Sequence, residues 1–218
     1  MSVRRLCAEQ PAMFAFTPEN LVWAQNEIGK YPAGRQSSAV IALLWRGQEQ
    51  NGGWVTEPML RCVGDMLAMP YIRVLEIATF YTMFNLGPRG KYLLQVCKTT
   101  PCWLRGSDEV TGVVKRKLGV DKGQISKDGL FSWIEVECLG ACCNAPVIQV
   151  NDDFYEDLDA AKTEALLDAL ARGENHDSLE LEPRSDRSRR ALGYAKENLR
   201  RPLTVEEMAE AARVSPRQ

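Results

Sequence analysis

The chain predicts an α+β (α/β) fold, with an N-terminal helical bundle over residues 15–86 and a second domain over 90–172 in which strands and helices alternate. Three observations predict it. Apolar residues in the first part recur at helical spacing between cap and breaker signals. The run Gly87-Pro88-Arg89-Gly90 interrupts that pattern. Beyond it, short strand-like runs alternate with amphipathic segments in the order β-α-β-β-α.

Each element has its own signal. Thr17-Pro18-Glu19 supplies an N-cap, a proline at the first helical position and an early acid; Leu21, Val22, Ala24 and Ile28 follow as an apolar face. The spacing predicts a second helix over 36–50, with Val40, Ile41, Leu43 and Leu44 buried and Asn51-Gly52-Gly53 ending it. Thr56-Glu57-Pro58 opens a third helix, carrying Leu60, Val63, Met66 and Leu67. Pro70 opens a fourth, in which Ile72, Val74, Leu75, Ile77, Ala78, Phe80, Tyr81 and Phe84 leave little polar surface. Four helices with short connections suggest a small bundle.

In the second domain a strand is expected over 91–97, then a helix capped by Ser107 with Val110, Val113, Val114 and Leu118 at helical spacing. A strand over 130–137 follows. Val147-Ile148-Gln149-Val150 then turns at Asn151-Asp152-Asp153 into Phe154-Tyr155, and Asp159 caps a last helix whose Ala165, Leu166, Leu167 and Leu170 face inward. A pair of strands before the final helix is the skeleton of a thioredoxin-like sheet. A polar linker is expected over 173–187, and a helical tail over 188–218.

Hydrophobic content of 45% and a net charge of −2 are ordinary for a globular chain and give no reason to expect nucleic acid as a partner of the whole. The longest apolar run, 39–45, is too short to span a bilayer, and Glu9 and Pro11 interrupt the stretch after Arg4-Arg5. The expectation is a cytoplasmic protein, attached to a membrane only through partners. There is no Gly-x-Gly-x-x-Gly run, so the chain is not expected to bind a dinucleotide or flavin by itself.

Four of the seven cysteines form two pairs, Cys97-Lys-Thr-Thr-Pro-Cys102 and Cys138-Leu-Gly-Ala-Cys142, each where a strand-like run gives way to turn residues. In a reduced compartment a disulfide framework is not expected. Thiolates at strand exits, in short loops of small residues, suit an iron–sulfur cluster: each pair can hold one iron while loop N–H groups point at the sulfurs. Zinc competes, since four cysteines can close a tetrahedron, although structural zinc sites favour tighter knuckles than the first pair. The single histidine, His176, lies in a polar stretch after the cysteines, and no Cys-x-x-Cys exchanger motif is present. On spacing alone both metals stay open.

The run Glu137-Cys-Leu-Gly-Ala-Cys-Cys-Asn-Ala-Pro146, with Cys97-x4-Cys102 upstream and Ala78-Thr-Phe-Tyr-Thr-Met-Phe84 before both, resembles the 24 kDa subunits (the bacterial E subunits) of respiratory NADH dehydrogenase, complex I. The likeness covers residues 10–172. It implies a helical bundle followed by a thioredoxin-like domain that binds one [2Fe–2S] cluster through Cys97, Cys102, Cys138 and Cys142. It also implies a partner, the flavin-bearing 51 kDa-type subunit, which takes hydride from NADH onto FMN and exchanges single electrons with that cluster, beside the main chain of clusters toward quinone. No complete activity is expected from the chain alone, and no residue of it is expected to be catalytic. The complex would hold it at the periphery of the inner membrane. An equivalent diaphorase subunit of an NAD-linked hydrogenase or formate dehydrogenase fits the same residues, and a zinc-stabilised module without redox function is the third reading. With four thiolates the cluster carries about −2 oxidised and about −3 reduced. Lys98, Arg105 and the N–H groups of 98–106 and 139–145 are therefore candidates for setting its potential.

Other features have plainer readings. Cys143 sits beside a ligand position, Cys7 reads as a terminal thiol and Cys62 as a buried small residue. The stretch Phe80-Tyr81-Met83-Phe84 is expected in the helical core, and Lys115-Arg116-Lys117 as a solvated helix face. Residues 191–217 are similar to the opening of arabinose-regulator-type helix-turn-helix domains. A recognition helix would begin near Ser215 and the sequence ends at Gln218, so no nucleic-acid binding is expected.

Overall fold

A computed structural model describes residues 4–174 together with Glu207 and Glu210. His176, the linker and the rest of the tail lie outside the described residues. The chain divides into two units, one running to Lys91 with Lys127–Ser132 added, the other holding most of the remainder.

The first unit is the helical one. α1 (Pro18–Gly29) starts where Thr17 accepts the Asn20 N–H at 3.3 Å. The helix expected from residue 36 begins instead as a 3-10 turn, Gln36–Ala39, before α2 (Val40–Gln50). α3 (Glu57–Leu67) is capped by Thr56, whose hydroxyl accepts the Met59 N–H at 3.3 Å, and α4 (Tyr71–Phe80) follows Pro70. Leu43, Leu44, Val55, Met59, Leu60, Val63 and Val74 are sealed from solvent in one core. Each such side chain contributes about 1.5–3 kcal/mol of burial.

The fourth helix is shorter than expected, and its aromatic end is not all core. It stops at Phe80, which is 75% exposed; Ile72, Tyr81 and Met83 are exposed as well, and of that stretch only Phe84 is sealed. Polar groups end the helix. Arg4 donates to the carbonyls of Thr79 at 3.0 Å and Tyr81 at 2.9 Å, and to that of Phe84. The buried Gln48 amide donates to the Met83 carbonyl at 3.1 Å and accepts the Asn85 N–H at 2.7 Å. Carbonyls left over at the helix end are thus satisfied by side chains, and the chain turns inward at Phe84.

The second unit supplies the sheet. β1 (Tyr92–Cys97) is followed by α5 (Thr100–Leu104) and α6 (Ser107–Leu118), then β2 (Phe131–Val136), β3 (Ile148–Val150), β4 (Asp153–Tyr155) and α7 (Ala160–Ala171). The strand order is β2-β1-β3-β4. β1 and β3 pair antiparallel with Leu94 opposite Val150, and β3 and β4 form the expected hairpin with Asn151 at φ 53° in its turn. The connection from β1 to β2 spans two helices, the kind of crossover that adjacent parallel strands require. Trp133 is buried on β2 and donates to the Val120 carbonyl at 3.0 Å.

One expectation here needs correction. Ser107 is the first residue of α6 and caps nothing: the cap position belongs to Gly106, at φ 100°, a conformation L side chains rarely adopt. The Ser107 hydroxyl is buried without a hydrogen-bond partner. The basic run on α6 is the solvated face expected, its three residues all exposed, and it carries surface ion pairs. Arg116 pairs with Glu164 at 2.8 Å and Lys117 with Asp168 at 2.7 Å across to α7, while Lys115 lies 5.9 Å from the Trp133 ring.

Gln48→Ala leaves the Asn85 N–H and the Met83 carbonyl unpaired. It should lower stability by about 2–4 kcal/mol, read as a fall in the urea midpoint together with faster exchange of the Asn85 amide. An unchanged midpoint would show that the amide clamp contributes nothing.

Candidate metal centre

The site is built by two loops that leave neighbouring strands. β1 ends on Cys97. Thr99 occupies the cap position of α5, and Pro101 falls in its first turn, which puts Cys102 inside that short helix. Cys97 and Cys102 are 1% and 2% exposed. They form a small apolar cluster with Ala145 and Val147, against which Leu139 and Ala141 pack, so the second cysteine loop folds over the first pair. The root of the first loop is stitched to both sides: the Cys97 N–H donates to the Val147 carbonyl and the Lys98 N–H to the Val136 carbonyl, each at 3.2 Å.

The second pair lies at the surface. Cys138 follows β2, and Cys142 opens a 3-10 turn, Cys142–Asn144; both are exposed, as is Cys143. The chain passes between them through Gly140 at φ 87°, which brings the Cys138 and Cys142 sulfurs to 3.3 Å and aims the Gly140 N–H at the Cys138 sulfur at 3.4 Å. The chain leaves through a cis Ala145–Pro146 bond.

The electrostatics follow the couples. At Cys97 burial pushes the thiol up, but the Thr99 hydroxyl and amide, the Leu139 amide and the Cys102 thiol outweigh it and leave the group below the ordinary thiol value. Burial and the hydrogen bond with Cys97 push Cys102 up to about 11. The Gly140 amide, then the Cys142 thiol, hold Cys138 below the ordinary value, while the hydrogen bond with Cys138 raises Cys142. Each couple therefore has one thiol shifted down and one shifted up. A metal binds cysteine as the thiolate, so binding displaces the thiol protons.

The donor set fits a two-metal cluster. Among the described residues no three Cys, His, Asp or Glu side chains are grouped to hold a metal ion. The cysteines stand as two couples, and the Thr99 hydroxyl lies 3.2 Å from the Cys97 sulfur. Backbone N–H groups and a hydroxyl at the sulfurs, on an apolar floor, are what an iron–sulfur core uses to offset its negative charge. The two cations expected nearby are engaged: Lys98 pairs with the Asp108 carboxylate, and Arg105 lies 3.6 Å from that of Asp157. Sequence reasoning missed Thr99 and α5, although the Thr-Thr-Pro run between the first two cysteines is an N-cap signal. Cys7 and Cys62 belong to the helical unit, both half-buried, and burial raises Cys62.

These features define an iron–sulfur protein with a thioredoxin-like sheet, and residues 24–171 match the thioredoxin-like [2Fe–2S] ferredoxin family, to which the chain belongs. The family carries one [2Fe–2S] cluster. Its relatives are more particular. The NADH-quinone oxidoreductase E subunit of Rickettsia bellii is 55% identical over 157 residues, which cover 72% of this chain and 94% of that protein. An E subunit of NADH-quinone oxidoreductase from Rhizobium meliloti is 50% identical over 176 residues, 79% of this chain and 64% of that one. Among solved structures, an NAD+-reducing [NiFe]-hydrogenase in the air-oxidised state matches with a TM-score of 0.56 at 20% identity, over 67% of this chain and 25% of that one, a likeness of fold. No described helix is long and apolar enough to cross a membrane.

In cluster-free protein, iodoacetamide should label Cys138 well before Cys102. Cys138 is exposed and favours the thiolate, whereas Cys102 is buried and only about one in a thousand is ionised at pH 8. Peptide mapping at timed quenches checks the order; equal labelling of the two in the folded chain would contradict the asymmetry.

Proposed function

We propose that the chain is the electron-transfer iron–sulfur subunit of an NADH-quinone oxidoreductase. Cys97, Cys102, Cys138 and Cys142 hold its [2Fe–2S] cluster. The chain exchanges single electrons with the FMN of a flavoprotein subunit that oxidises NADH. The observation that carries this reading is the folding of one cysteine loop over the other: Leu139 and Ala141 pack on the buried Cys97 and Cys102, while the Cys138 and Cys142 sulfurs stand 3.3 Å apart in the same loop. The names and identities of the Rickettsia and Rhizobium relatives support the choice of complex over a hydrogenase, whose likeness is one of fold alone.

When bound, the cluster supplies one-electron chemistry, accepting and releasing a single electron. The chain's own part is to make that reversible. Cys97 and Cys102 present their sulfurs from a dry floor, Gly140 and Thr99 direct N–H and O–H groups at sulfur, and the loop roots are fixed by hydrogen bonds to neighbouring backbone. With no dinucleotide-binding run in the sequence, NADH and FMN are assigned to the partner, and the chain meets the membrane only through the assembled complex.

Anaerobically purified protein reduced with dithionite should give an S = 1/2 EPR signal, with iron and acid-labile sulfide equimolar and each in twofold excess over chain. Cys97→Ser and Cys138→Ser should each lose most of both. A silent spectrum with stoichiometric zinc would end the electron-transfer reading, and full iron and sulfide in both variants would end the ligand assignment. Thr99→Val removes a hydroxyl donor from the Cys97 sulfur and should lower the midpoint potential in a redox titration followed by EPR. An unchanged potential would remove Thr99 from that role.

A further inference from the structure

The two couples differ in one respect that cluster binding does not require: one is sealed and the other lies open. Cys97 and Cys102 are 1% and 2% exposed on the apolar floor made by Ala145 and Val147. Cys138 and Cys142 are exposed, and their sulfurs stand 3.3 Å apart. A disulfide needs the sulfurs at about 2.05 Å, so closing this pair takes an approach of about 1.3 Å. The three residues between them include Gly140, whose conformational range lets the loop tighten, and a Cβ there would meet nothing within 4 Å, so the loop has open space around it.

Resting on the ligand assignment above, we infer that Cys138 and Cys142 are an oxidation site of the cluster-free chain: a peroxide converts them to an intramolecular disulfide that closes the chain to cluster insertion until it is reduced. The step balances with the peroxide as oxidant. One of the two sulfurs, as thiolate, attacks a peroxide oxygen and breaks the O–O bond, giving a sulfenic acid and one water. The second sulfur then attacks the first, forming the S–S bond and breaking the S–O bond, and a second water leaves. Two thiols and one hydrogen peroxide become one disulfide and two waters. Burial keeps the other couple out of reach of both the peroxide and an exchanging thiol. Cys143, although exposed, is adjacent to Cys142 in the chain, where a disulfide has to distort the backbone.

The test uses the full chain stripped of iron by a chelator under anaerobic conditions, with circular dichroism to verify that it stays folded. A portion is treated with hydrogen peroxide, free thiols are blocked under denaturing conditions, and the protein is digested without reductant and mapped by mass spectrometry. The expected result is loss of two of the seven free thiols and a Cys138–Cys142 cross-linked peptide. The same product should form at the same rate in Cys143→Ser. The oxidised chain should take up no iron when supplied with ferrous iron and sulfide, and thiol reductant should restore uptake to the level of the untreated reduced sample. A Cys97–Cys102 link forming first, a link through Cys143, a sulfinic or sulfonic acid at Cys138 with no cross-link, or iron uptake unaffected by the disulfide would each overturn the inference. Failure of the untreated reduced chain to assemble a [2Fe–2S] cluster is a separate outcome. It would overturn the ligand assignment and, with it, the premise of this site.

Discussion

If Cys97, Cys102, Cys138 and Cys142 together hold the cluster, as proposed above, four negative sulfurs must be accommodated, and that is the constraint the rest of the second unit answers to. Thiolates repel one another, and a buried one loses its hydration, so a bare cluster of cysteines opposes folding. Every feature at the site reduces that cost. The Gly140 amide faces the Cys138 sulfur and the Thr99 hydroxyl the Cys97 sulfur, and only two of the four are taken out of water. The sheet sets where this happens. Because β2 and β1 are neighbours, the loops that follow them emerge side by side, and the apolar pair Ala145 and Val147 closes the space beneath them.

The helical unit meets a different problem with the same means. At the end of α4 the Thr79 and Tyr81 carbonyls find a partner in Arg4 from another part of the unit, and just beyond it the Met83 carbonyl finds one in Gln48 from α2. The result is a turn held by polar groups, with Phe84 in the core and Phe80 in solvent.

How much of this could be read from the sequence differs by feature. Caps at Thr17, Thr56 and Asp159 were legible because a side-chain oxygen bonding the N–H three residues on is a local event. The hairpin at Asn151 was legible for the same reason. The two cysteine loops stood out by spacing, and the strand runs before them gave their place. The features that stayed hidden depended on contacts distant in the chain. Arg4 lies 77 positions before the Tyr81 carbonyl it binds, so no local pattern could show where α4 stops. Ser107 looked like a cap, but the left-handed turn at Gly106 moved the helix start by one residue. That one couple is buried and the other exposed follows from which loop lies on top, a property of the assembled sheet.

Gly140 carries more than its size suggests. Its backbone angle sets the separation of the Cys138 and Cys142 sulfurs, and its own N–H is the donor to one of them. Room is not what excludes a larger residue there, since the space beside its Cα is empty. The exclusion lies in the backbone, where a left-handed conformation costs an ordinary residue about 1–2 kcal/mol. A single substitution there thus reaches the sulfur separation and the donor to Cys138 together.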